Sequence, residues 1–158
     1  MVAAYVLHKR PLKASIVQEG ISMGRTVHIM PPKVDHPRTK PWIERHIMYC
    51  LAGLTAEKLL APEHWEENRI AIEDRSAGDI DEAQEYVSGI LTVERPSNAP
   101  YVGSVDAYWS WMQARTDALI VRKWGAVTAV AQELLAYKEL TEQRLRRVIG
   151  TALRMEAP

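Results

Sequence analysis

A single cysteine in 158 residues excludes an internal disulfide, and Cys50 on its own fits a reducing, intracellular setting. Neither sign of charge is in excess: Lys plus Arg and Asp plus Glu both number 20, so no net field draws the chain to nucleic acid or to an anionic membrane surface. No apolar run approaches the ~18–20 residues of a membrane span. The opening Met-Val-Ala-Ala-Tyr-Val-Leu is too short for a signal peptide and lacks a cleavage pattern. Internal repeats and low-complexity segments are absent as well. The expectation is a soluble, cytoplasmic protein without a nucleic-acid partner, and its length suits one domain over 1–158 with one core.

What is present is mostly helical periodicity. Met1–His8 is apolar and stops at Lys9-Arg10-Pro11, as the last turns of a helix would. Lys13–Val17 and Thr26–Met30 are short, rich in β-branched residues and joined through Gly20 and Gly24, which predicts a two-stranded ribbon. Pro31, Pro32, Pro37 and Pro41 mark a loop carrying His36. Pro41 suits a first helical turn, and Ile43, Ile47, Leu51, Leu54, Leu59 and Leu60 hold one apolar face to Ala61. On that helix Ala52, Gly53 and Ala56 would let another helix approach at short range.

Pro62–Asp74 reads as a polar surface loop, and Arg95–Gly103 as a second loop. Ser104 is placed to cap a short helix with Tyr108, Trp109 and Met112. Asp117–Lys138 carries the longest stripe, and Gly125 inside it costs roughly 1 kcal/mol without having to break it. Thr141 then caps a last helix with Leu145, Val148, Ile149 and Leu153 inward; its cluster Arg144, Arg146 and Arg147 reads as a solvated face. The expected fold is mainly α: about six helices plus a small two-stranded β-ribbon.

The best-marked helix lies in Arg75–Val93. Ser76 precedes an acidic residue by three, and Ile80, Ala83, Val87, Ile90 and Leu91 recur at helical spacing, so the helix begins near Ala77. Asp79, Asp81, Glu82 and Glu85 crowd charge into its first turns, where the helix dipole favours anions by roughly 0.3–1 kcal/mol each. Asp79 has two readings on this pattern, a partner in a capping box with Ser76 or a metal ligand.

Other constellations fall short of chemistry. Gly20-Ile-Ser-Met-Gly24-Arg25-Thr26 is one residue too short for a phosphate-binding loop, has Arg25 where lysine is needed, and leads into a strand. His8, His28, His36, His46 and His64 include no histidine pair at ligand spacing on one helix, whereas tetrahedral zinc needs three or four converging donors. Cys50 reads as a small buried hydrophobe rather than a nucleophile, since no sequence neighbour would activate its thiol. No nucleophile-elbow pattern occurs.

The order of these elements resembles the zinc peptidase domain of the FtsH-type ATP-dependent proteases and their stand-alone relatives. Ala3-Ala4-Tyr5-Val6-Leu7 followed by Lys13-Ala14-Ser15-Ile16-Val17 is similar to the tail of that family's H-E-x-x-H helix and its first strand. Gly24-Arg25-Thr26 resembles part of the second strand. Leu51-Ala52-Gly53-Leu54-Thr55-Ala56-Glu57 is similar to the family's Leu-x-Gly-Arg-x-Ala-Glu helix, with Leu54 in place of arginine. Ser76-Ala77-Gly78-Asp79-Ile80-Asp81-Glu82-Ala83 looks like the segment that supplies the third zinc ligand, which falls on Asp79. The resemblance runs over roughly residues 2–150 and rests on four ordered blocks.

That likeness implies a metalloendopeptidase acting on unfolded polypeptide, zinc in its intact form, and either a homo-oligomer or a separate ATPase partner. The departure is the H-E-x-x-H itself, which occurs nowhere in the sequence. Both histidines and the glutamate that takes a proton from metal-bound water are therefore missing. This chain is expected to be inactive and to retain no stoichiometric zinc, and it is expected to have no ATP site. A helix cut through its middle would explain both the missing motif and the uncapped start at Met1, which would then be an internal methionine of a longer protein. The competing expectation is a catalytically dead helical module for peptide binding or assembly.

Overall fold

Residues 1–7, 12–17, 25–27, 40–93 and 105–155 are described by a computed structural model, the side chains of 25–27 and 91–93 excepted. Among them the chain is mainly helical and divides into two compact units, Pro31–Leu119 and a discontinuous one of Met1–Met30 with Ile120–Pro158. Lys9-Arg10-Pro11, the Gly20 and Gly24 linker, the proline loop with His36, the Arg95–Gly103 loop, Ser104, His8 and His28 lie outside the described residues.

Within Pro31–Leu119, helix α2 runs over Lys40–Leu60, with Pro41 in its first turn as its fixed φ favours. A 3-10 turn at Pro62–His64 leads into α3, Trp65–Arg75, and then into α4, Ala77–Val93. Ser76 is the single residue between α3 and α4. Helix α2 packs on α4, and the buried side chains of this unit include Ile43, Ile47 and Leu51 of α2, Ala83, Val87 and Ile90 of α4, and Met112 of α5, Val105–Arg122. Fixed polar links tie α5 to α2: Thr55 donates to Asp117 at 2.9 Å, and Tyr108 and Arg115 both donate to Glu44.

Three local expectations are corrected here. Pro62–Asp74 is not a loop: Glu66 and Glu67 stand at the start of α3 and Arg75 at its end, each complementing the dipole, while Ile72 alone is buried. The long stripe is broken at Lys123, whose N–H donates to Ile120 O, so that α5 ends at Arg122 and α6 spans Trp124–Tyr137. Gly125 falls in the first turn of α6, where low helix propensity makes a break least costly. Gly53 is exposed, and a Cβ built on it meets nothing within 4 Å, so no helix among the described residues approaches there.

In the other unit, α1 (Val2–Val6) precedes strands β1 (Lys13–Ser15) and β2 (Arg25–Val27), the expected antiparallel ribbon. A third strand unforeseen from the sequence, β3 at Glu139–Thr141, pairs antiparallel with the other edge of β1, giving the order β2-β1-β3. Ala14 and Leu140 turn inward and meet Val2, Ala126 and Val130 together with Leu145 and Ile149 of α7, Glu142–Met155. Thr141 caps α7 as expected, its hydroxyl accepting the Arg144 N–H. Lys138 joins α6 to β3 at φ 63°, a conformation rare outside glycine.

Candidate metal centre

Where α2 packs on α4, four residues of separation place His46 and Cys50 on one face of α2, directed at the second turn of α4. Both are buried, at 0% and 3% exposure, whereas the Glu82 side chain opposite keeps 36%. Nε2 of His46 lies 2.8 Å from Oε1 of Glu82, and the Cys50 thiol faces the other oxygen, Oε2, at 3.8 Å. One ligand atom from each of the three residues falls within 4.8 Å of the others. The imidazole is walled by Tyr49, stacked at 6.0 Å between centroids, and by Tyr86, edge-on at 4.9 Å.

Asp79 stands one turn before Glu82 on α4 and is an exposed side chain. Loss of water on its covered side, and secondly the charge of Glu82, raise its carboxyl above the ordinary 3.8. Burial pushes the Tyr49 phenol far up, and the charges of Asp79, Cys50 and Glu82 add to this. Tyr86 is raised for the same first reason, with Glu82 next. The environment thus resists further negative charge.

The capping role of Asp79 meets an obstacle in the chain itself. A capping box needs the N–H of Ser76, and that N–H already donates to Ile72 O at 3.0 Å and Glu73 O at 3.1 Å, closing α3. The ligand role in the family's zinc site has no histidine companion among the described residues. Of the five histidines, His46 and His64 are among the described residues; His46 pairs with Glu82, and His64 lies 3.6 Å from Glu67. Among the described residues, no two histidines join Asp79 in the two-histidine, one-aspartate set that the resemblance implies.

A reading that looks only for histidine pairs passes over His46 and Cys50. A mixed His/Cys pair at i and i+4 was the available signal. Glu82 gave none beyond its place in an acidic first turn. No protein-family model matches the chain, and no curated protein matches it. Among the described residues no helix is long and apolar enough to cross a membrane.

Proposed function

We propose that the chain is a metallopeptidase-like domain of the FtsH type that holds unfolded polypeptide along its β-ribbon and does not hydrolyse it with its own residues. The observation that supports this is the ribbon's outer edge. Ile16 N–H donates to Lys138 O at 2.9 Å, so even-numbered residues of β1 face β3 and odd-numbered ones face β2. Lys13 and Ser15 then bond Val27 and Arg25, and the N–H and C=O of Thr26 between them point away from β1. Among the described residues no strand lies beyond β2. An extended peptide can add there as a further strand.

Hydrolysis lacks its machinery, since no H-E-x-x-H occurs. Unfolding falls to a separate ATPase in this reading, because no Walker motif is present either. The test is incubation of the purified chain with casein. Binding without cleavage is expected, with Thr26 becoming protected from hydrogen exchange. Thr26→Pro removes the outward donor while leaving the β1 ladder intact, and should weaken binding by roughly fivefold, the worth of about one hydrogen bond. Chelator-sensitive cleavage would overturn the absence of catalysis. Equal binding by the variant, with Thr26 unprotected in the wild type, would overturn the role of the ribbon.

A further inference from the structure

We propose that His46, Cys50 and Glu82 together bind a thiophilic divalent cation, with zinc as the first candidate. The proposal departs from the expectation that this chain retains no stoichiometric zinc, which follows from the absence of the family's ligands around Asp79; this is a different donor set, and it stands whether or not the ribbon binds polypeptide.

Geometry comes first. With zinc bonds of about 2.0–2.1 Å to nitrogen, 2.0–2.2 Å to oxygen and 2.3 Å to sulfur, tetrahedral donors lie roughly 3.3–3.8 Å apart. The thiol stands 3.8 Å from Oε2, and taking one donor atom per residue the three lie within 4.8 Å of one another, so they must draw together by up to about one ångström. His46 and Oε1 stand at 2.8 Å, a hydrogen-bond distance that must open by about half an ångström, which rotation of the Glu82 carboxylate supplies. Two donors come from one helix and the third from its closest neighbour, so the chain supplies the site from rigid elements.

Chemistry narrows the ion. An imidazole nitrogen and a thiolate select zinc and its late first-row neighbours over calcium or magnesium, which take oxygen. A neutral imidazole, a thiolate and a carboxylate carry two negative charges, which a divalent ion cancels. Three protein ligands leave the fourth tetrahedral position open, and the Tyr49 and Tyr86 rings hold the imidazole plane. The competing account is a hydrogen-bonded trio of buried polar groups that satisfy one another. It shares every contact and differs in what added metal does.

The experiment is titration of the reduced, metal-stripped full chain with Co2+, followed by Zn2+. One Co2+ per chain should give a thiolate-to-cobalt charge-transfer band with the intense absorption of tetrahedral cobalt, bleached by equimolar Zn2+. Because the chain has one cysteine, a thiolate band at that stoichiometry assigns Cys50 without any variant. Zn2+ should raise the thermal midpoint of the wild type, as a ligand of the folded state does. Glu82→Gln and His46→Gln should weaken Zn2+ binding at least tenfold, and Cys50→Ser should abolish the band, each with an unchanged far-UV circular dichroism spectrum. Absence of a thiolate band, or a wild-type midpoint indifferent to Zn2+, would overturn the site and leave the hydrogen-bonded trio.

Discussion

Asp79 and Glu82 carry like charges one helical turn apart, and the first of them is where the two readings of α4 part company. A carboxylate at the third position of a helix gains roughly 0.3–1 kcal/mol from the dipole. Its partial burial and the Glu82 charge act in the opposite direction and prevail, since the carboxyl is raised rather than lowered. The sign follows by linkage. Asp79 holds its proton more tightly folded than unfolded, so the folded chain carries more protons just above pH 3.8, and stability falls as pH rises through that window. Asp79→Asn should therefore be more stable than the wild type at pH 7 in metal-free buffer, by less than about 1 kcal/mol for so exposed a charge, and equal to it at pH 3. Urea denaturation at the two pH values checks this. A loss of stability at pH 7 would restore the cap.

At the scale of elements, the ends of α6 are more telling than its middle. Lys138 closes the helix at φ 63°, ψ −34°, with its N–H on Leu134 O at 2.7 Å and its carbonyl receiving Ile16 of β1. A side chain there is strained by its own Cβ, while glycine would give up some unfolded-state entropy. Lys138→Gly is expected to raise stability by up to about 1 kcal/mol in equilibrium denaturation; a decrease would mean that the lysine side chain stabilises the turn by more than its backbone costs. Helices α2, α4 and α7 were legible in the sequence because each carries a stripe or a start signal: Pro41 with Ile43, Ile47 and Leu51; Ser76 before Ile80; Thr141 before Leu145. Helix α3 was not, because Ile72 is its one buried residue and Ile70 remains 71% exposed. Strand β3 offers only Leu140 between Glu139 and Thr141, too short a pattern to read. The candidate site was half legible: His46 and Cys50 share a helix face, but Glu82 follows Cys50 by 32 residues, and only the packing of α2 on α4 joins them. Asp79 lies in the acidic first turn that the sequence marks, and among the described residues no histidine pair stands beside it.

For the molecule as a whole, balanced charge sets the colloidal behaviour. With 20 basic and 20 acidic residues and an isoelectric point near 7.0, mutual repulsion between copies is weakest at neutral pH. Solubility should therefore pass through a minimum near pH 7 and rise on either side, measured as the protein remaining after centrifugation across a pH series; a flat profile would show that local patches outweigh net charge. One further consequence belongs to the order in which the chain is made. Residues 31–119 are contiguous and can complete their unit as soon as they emerge, whereas β1 has its second neighbour only once Glu139–Thr141 exist. Ser15 and Glu139 are paired partners, and translation at about 5–20 residues per second puts roughly 6–25 s between them. For that interval the newborn ribbon has an open strand edge on the side that β3 will later cover, so that unpaired backbone groups flank β1 on that side until β3 is made.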